Sequence, residues 1–474
     1  YPAATFFRAN QLAFPVGGTV VVEPGTWFTN NIITNGVNYY FMPGASVVYN
    51  TPTTNDAGWG IIDDRSIGAT TNLIWGAGVF KFQTYTGLVF SATQGKTANQ
   101  NFQGVICCSN PATRIHIEGD SLAASVWHNG GWEAAIADEG AAEMYVKFKN
   151  IYDPFRGGPS NVMQLISNGN NVAVKSTVNG VVWVTGELYC DIQSNGMSEY
   201  GIWGENALAA ASEGIRQFTL TNPADLWYRG QYMNCKIYMD NSTTNSTPNT
   251  KEWRTWITLD DLEQDGIGVS SAPAEYFGSG KHYLQVKKLL GESLACLNTA
   301  TVTNDSLQVW LNAQKLTYTN STLPGSWIRV SGGQVWADVL NFEDLNSTVT
   351  NGFLTVTNTS GLGSAQSQLY VTCHAPAVVG SGIGANHQAG VMRLEGITLD
   401  TSAGGTSDSP VSVSNTGLVL QNCVLVGPSS AQAISAASAQ TVKVYNGLME
   451  NITNSPNITI NPGSSMVVTN AAVL

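Results

Sequence analysis

The chain has 474 residues, 43% of them hydrophobic and only 11% charged, with a net charge of −12. Soluble domains usually carry roughly 25% charged residues, so polarity here comes from Asn, Ser, Thr and Gly, which favour turns and pleated surfaces over helices. The acidic balance and the lack of a basic stripe exclude a nucleic-acid partner and sustained contact with anionic membranes. Neutral glycans remain open, as do anionic glycans held by a local basic patch.

The 13 Trp, 17 Tyr and 15 Phe argue for a packed body, and the 49 Gly for many turns. No apolar run reaches the ~18 residues of a membrane-spanning helix, so no membrane insertion is expected. No signal-peptide pattern is visible. A start at Tyr1 and a strand-like end at Val473-Leu474 read as an excerpt of a longer chain. The seven cysteines (Cys107, Cys108, Cys190, Cys235, Cys296, Cys373, Cys423) are odd in number and widely spaced, without a CxxC pair. They read as small buried apolar residues of a protein folded in a reducing cytosol, not as disulfides or zinc ligands. His116, His128, His282, His374 and His387 show no metal-ligand spacing. No cofactor motif is present, so neither a metal nor a cofactor is expected.

In chain order, the first elements are two strand-and-turn units. Thr19-Val20-Val21-Val22-Glu23 ends at Pro24-Gly25-Thr26, and Asn38-Tyr39-Tyr40-Phe41-Met42 ends at Pro43-Gly44-Ala45. Proline fixes φ and glycine takes the positive φ of a tight turn. The two Pro-Gly turns are 19 residues apart, close to one rung of a β-solenoid. This arrangement resembles the first coils of the pectate-lyase-like right-handed parallel β-helix superfamily, which holds pectin-degrading enzymes and many bacteriophage tailspikes.

Similar strand-and-bend patterns recur at 73–80, 115–119, 145–151, 182–188 and 232–238, at long and variable spacing. Some intervals have room for two rungs; others have room for loops, which in solenoids gather on one face and often bind. Asn206–Gly214 reads as a short helix, Ala135–Val146 as a weaker one, and Asn241–Thr250 as an exposed loop. Near the end, Leu394, Leu420, Val444 and Val468 align at steps of 26, 24 and 24, followed by Asn422, Asn446 and Asn470, and by Leu425, Met449 and Val473. Alternation buries one face of each strand, and the Asn marks a bend where left-handed backbone is tolerated.

The expected fold is therefore all-β: a right-handed, single-stranded parallel β-helix with loop insertions in its central coils. One elongated domain would run through 1–474, with opening coils over 1–60, insertion-bearing coils over 61–365, and a regular stack of about 24-residue rungs over 366–474. A second domain around Trp227–Asn320 is the alternative.

The densest acidic cluster is Asp260-Asp261-Leu262-Glu263-Gln264-Asp265, preceded by Trp253 and Trp256. Glycoside hydrolysis needs two carboxylates, and tryptophans suit the apolar faces of sugar rings. On a strand Asp261, Glu263 and Asp265 would share a face. Asp260, Asp261, Glu263 and Asp265 are the catalytic candidates, against the reading of a solvated acidic loop. Trp253 and Trp256 are carbohydrate-binding candidates, as are Trp127 and Trp132 in Trp127-His128-Asn129-Gly130-Gly131-Trp132. Asp63-Asp64, Glu133 with Asp138 and Glu139, and Glu343-Asp344 are lesser acidic groups. The pectin-hydrolase motifs of the superfamily (Asn-Thr-Asp, Gly-Asp-Asp, Gly-His-Gly, Arg-Ile-Lys) are absent, and no lysine or arginine cluster of the lyase type is evident.

The resemblance implies a virion spike or tail fibre, on a virion or extracellular surface, that recognises a host surface polysaccharide or glycan. It also implies a homotrimer, other virion proteins as partners, and depolymerising activity in some members. A purely structural β-helix and a secreted glycoside hydrolase or polysaccharide lyase are the alternatives.

Overall fold

The computed structural model describes residues 3–29, 31–51, 61–64, 67–84, 103–108, 110, 112–125, 133–138, 143–152, 164–166, 181–182, 187–205, 219–220, 224–240, 253–263, 274–277, 279–290, 294–297, 307–318, 328–344, 354–357, 367–375, 384–402, 409–427, 434–436, 440–450, 458–460 and 466–469. It is nearly all β, with parallel strands stacked as a solenoid. By contacts the chain divides into two compact units, residues 1–258 and 259–474.

In the first unit, Thr19–Val22 pairs in parallel with Asn38–Phe41, Thr19 opposite Asn38. Gly25–Phe28 pairs with Ala45–Thr51, Gly25 opposite Ala45. The two Pro-Gly turns therefore lie one rung apart, as their 19-residue spacing predicts. Gly25 N–H donates to the Gly44 carbonyl at 3.0 Å. Their φ values of 136° and 87° fall where a side chain is strained, which is why glycine stands at both. Strand alternation sends Val20, Val22, Tyr39, Phe41 and Val47 into the interior. Later steps are longer. Thr71 lies opposite Arg114, 43 residues on, then Arg114 opposite Glu143 and Glu143 opposite Glu187. Each is a single rung.

One helix, Phe6–Ala13, was not foreseen in the sequence. Thr5 caps it, its Oγ1 accepting from Arg8 N–H at 3.2 Å. Buried Phe6 lies 6.5 Å from the rings of both Trp27 and Phe41. Asn10 accepts from the Tyr39 hydroxyl at 3.1 Å and donates to the Ile32 carbonyl at 2.9 Å. The helix thus covers the start of the solenoid, whose first rung would otherwise leave its core end open to water.

The helix expected over Ala135–Val146 is not formed. Strands Glu133–Asp138 and Glu143–Tyr152 occupy that stretch. Ile136 pairs opposite Ile106, and Met144 and Val146 opposite Ile115 and Ile117, all buried. Burying that apolar column outweighs the weak helix preference of the alanines. Asn206–Gly214 and Asn241–Thr250 lie outside the described residues.

In the second unit, one stack runs through Gly280–Leu290, Leu307–Tyr318, Gln334–Asp344, Gln368–Cys373, Val391–Glu395, Leu418–Gln421 and Gln440–Tyr445. Two interior columns fill it. Val309, Val335, Leu369, Met392 and Leu418 form one; Leu311, Ala337, Val371, Leu394, Leu420 and Val444 form the other. None is more than 3% exposed. Each fully buried aliphatic side chain contributes about 1.5–3 kcal/mol, so these columns hold the rungs together.

The repeat read at the end of the chain is realised for two steps: Leu394 lies opposite Leu420, Leu420 opposite Val444, and Leu425 opposite Met449. Asn422 and Asn446 adopt φ of 54° and 52°. Asn446 Nδ2 donates to Asn422 Oδ1 at 3.2 Å, so the bend forms an amide ladder. The last step differs. Val468 lies opposite Met449, 19 residues back, and not opposite Val444. Met466-Val467-Val468 is continuously apolar, so no alternation fixes which residue faces inward, and the pairing settles on a shorter rung. Asn470 and Val473 lie outside the described residues.

Asn446→Ala should cost about 1 kcal/mol, because alanine loses the cross-rung hydrogen bond and is strained at positive φ. Asn446→Gly loses the same hydrogen bond but is unstrained there, so it should cost less than the alanine variant. Urea melts of both variants check the order; equal losses would mean that the left-handed backbone carries no strain.

Candidate functional site

Alternation in the second unit turns Tyr283, Trp310, Trp336 and Tyr370 outward, between the buried residues of each strand. The strand register sets them directly opposite one another on four successive rungs. Their rings form a continuous stack, with centroids 4.5, 5.0 and 5.9 Å apart and planes within 10° of parallel. Stacked atoms touch at about 3.5–4.0 Å, whereas rungs repeat at about 4.8 Å. Parallel rings at this pitch must therefore slide over one another like tiles, leaving part of each ring and its edge in solvent.

An amide column runs beside the rings. Gln308, Gln334 and Gln368 lie opposite one another. Gln308 Nε2 donates to Gln334 Oε1 at 3.5 Å, and the Tyr370 hydroxyl donates to Gln368 Oε1 at 3.0 Å. On the other side Asn312, Asp338 and Thr372 form a third column. His374 Nε2 lies 2.5 Å from Asp338 Oδ1. Over these three rungs Asp338 is the one charged residue in the three columns.

Sequence reasoning missed this face, yet a signal was present. Gln308-Val309-Trp310, Gln334-Val335-Trp336 and Gln368-Leu369-Tyr370 are one tripeptide repeated. Its spacings of 26 and 34 residues are unequal, which hides it from a fixed-period search.

The acidic candidates stand at a corner of the same unit. Asp260 and Asp261 are both half-buried between buried Leu259 and Leu262, so the strand bends there and alternation lapses. Asp261 and Glu263 flank Leu262, consistent with a shared face. Asp265 lies outside the described residues. Lys287 Nζ meets Asp260 at 2.7 Å, and Lys288 Nζ meets Glu263 at 3.0 Å. Lys315 Nζ meets Glu343 at 2.5 Å, where the Thr317 hydroxyl also donates at 3.4 Å. The fold thus gathers the lysines that the sequence left scattered, and sets them as partners of the carboxylates. Exposed pairs of this kind are worth about 0–1 kcal/mol each. The arrangement can brace successive rungs; for acid–base chemistry Asp260 and Glu263 would first have to leave their lysines.

Trp256 belongs to the first unit, where its ring stacks on Trp227 at 4.7 Å and 7°. One of its faces is therefore already covered by protein. Trp253 lies on the strand Trp253–Glu263, but its side chain, like Trp127 and Trp132 as a whole, falls outside the described residues. Asp63 and Asp64 are fully buried, and Asp64 Oδ2 accepts from Asn110 N–H at 2.9 Å, the role of a turn anchor.

Behind the aromatic stack, His282 points inward from the residue before Tyr283. It is 1% exposed, and its ring stacks on Tyr276 at 4.6 Å. Burial pushes its pKa down to about 3. Burial likewise lowers that of His387, whose Nε2 lies 3.1 Å from the Gly390 carbonyl. Cys108, Cys373 and Cys423 are buried, and burial raises the Cys423 thiol to about 11. For these three the reading as inert core residues holds. Among the described residues no group of three or more His, Cys, Asp or Glu is placed to hold a metal ion.

No protein-family model matches the chain, and comparison with curated proteins and with solved structures returns no significant match.

Proposed function

We propose that this chain is a surface-recognition spike of the pectate-lyase-like right-handed β-helix class, akin to bacteriophage tailspikes and tail fibres, which binds a host surface glycan. Display on a virion or extracellular surface, assembly as a homotrimer and contact with other virion proteins belong to the same reading. The observation that carries it is the outward stack of Tyr283, Trp310, Trp336 and Tyr370 beside Gln308, Gln334 and Gln368. Aromatic rings flanked by amides offer the mixed apolar and hydrogen-bonding surface that polyhydroxylated ligands need. The opening Pro-Gly rung supports the class.

The lysine-paired corner favours recognition over cleavage. Incubation of the purified protein with a panel of bacterial surface polysaccharides, followed by mass spectrometry of any released oligosaccharide, tests this. Binding without release is the expected result. Release that vanishes when Asp261 and Asp265 become Asn would make the chain a depolymerase. A second reading, a purely structural rod, is favoured by rings that already cover one another; failure to bind any polysaccharide would establish it.

A further inference from the structure

Building on the glycan reading above, we infer that the ligand of this face is an uncharged polysaccharide lying along the stacking direction of the rungs, spanning the four rungs from Tyr283 to Tyr370. The chemistry of the face repeats in that direction and in no other. Moving from rung to rung, a ligand meets an aromatic ring at each step and beside it Lys281, Gln308, Gln334 and Gln368 in turn. The steps are constant in space, about 4.8 Å, although they differ in sequence. Moving across the rungs it meets Lys281 or a glutamine, then a ring, then Gln285, Asn312, Asp338 or Thr372. A repeated set of groups at constant pitch suits a repeating polymer that runs with it, whereas a single sugar needs only one set.

Charge decides the class. Within the columns from Gln308 to Thr372 the single charge, Asp338, is already against His374. Lysines stand close by at the corner, but Lys287, Lys288 and Lys315 are each engaged by a carboxylate of this chain. On the Tyr283 rung Lys281 heads the glutamine column, and Arg393, opposite Tyr370 on the adjoining rung, is engaged by Gln421 and Glu395. A polyanion would thus find one lysine at one end of the four rungs and no basic row to follow, and would approach a protein of net charge −12. Glutamine amides both donate and accept, which matches hydroxyl groups.

The test is a length series. Dextran, mannan and galactan, size-fractionated from disaccharide to decasaccharide, and hyaluronate as the polyanion, are titrated at low and high salt. Affinity for a bound neutral series should rise by at least about tenfold with length and then level off, as added contacts on one rigid ligand accumulate. It should change little with salt. Trp310→Ala should weaken long oligosaccharides more than the disaccharide. A disaccharide that binds as tightly as the longest chain, or salt-sensitive preference for hyaluronate, would overturn the axial, uncharged assignment and leave glycan recognition standing. No binding to any probe would overturn both.

Discussion

Acidification from pH 6.5 toward pH 3 will destabilise the second unit by a few kcal/mol through His282 alone. In the unfolded chain its imidazole titrates near 6.5, whereas in the fold burial holds the group neutral down to about 3. Between those values the unfolded state binds a proton that the native state does not, so unfolding becomes easier as pH falls. The contribution is complete above pH 6.5 and is lost progressively below it. One pKa unit corresponds to about 1.4 kcal/mol; partial opening of the site limits the realised loss to a few kcal/mol. His387 acts in the same direction, since burial also lowers its pKa. Carboxylates contribute at the acid end of this range, so the measurement is a difference: denaturant melts of the native chain and of His282→Phe at several values between pH 4 and 7. Phenylalanine keeps a ring against Tyr276 and carries no proton; any misfit it introduces is independent of pH. The gap between the two proteins should narrow or reverse on acidification. Parallel curves would show that His282 does not remain neutral and buried on the way to unfolding.

The ways the sequence did and did not reveal this molecule follow from how a solenoid is specified. The opening rung was legible because Pro24-Gly25 and Pro43-Gly44 fix turns chemically, through φ, and turn-to-turn distance then reports rung length. The step from Leu394 to Val444 was legible because alternating residues and a recurring Asn at the bend mark phase as well as period. Where one signal is missing the reading slips. Met466-Val467-Val468 has no phase, and Ala135–Val146 has composition without periodicity. The acidic candidates were legible as residues, but their lysine partners come from neighbouring rungs and are set by register. The aromatic face was hidden for the same reason. Trp310 and Trp336 are neighbours only because 26 residues close one rung between them.

Replacing Trp310 and Trp336 together by alanine will abolish measurable polysaccharide binding, a loss of at least about a hundredfold, while leaving the fold intact. Both rings lie on the outside of the stack, and the interior residues on either side of them, Val309, Leu311, Val335 and Ala337, remain in place. The double variant loses all three ring-on-ring contacts from Tyr283 to Tyr370. Aromatic pairs of this kind are worth about 0.5–1.5 kcal/mol each beyond burial, so stability should fall by roughly 1.5–4.5 kcal/mol. Stability alone does not separate a recognition surface from a structural one, because both lose the stack. The separation comes from the single variants. Trp310→Leu and Trp336→Leu keep apolar bulk on the strand but remove the flat ring. If the face recognises a glycan, each should reduce affinity about tenfold or more, since loss of one well-placed aromatic contact commonly costs over 1 kcal/mol of binding. A protein that binds polysaccharide and retains full affinity in the double alanine variant would move recognition off this face. The stack would then be a device for holding rungs together, and the search for the glycan site would turn to the lysine-paired corner at Asp260 and Glu263.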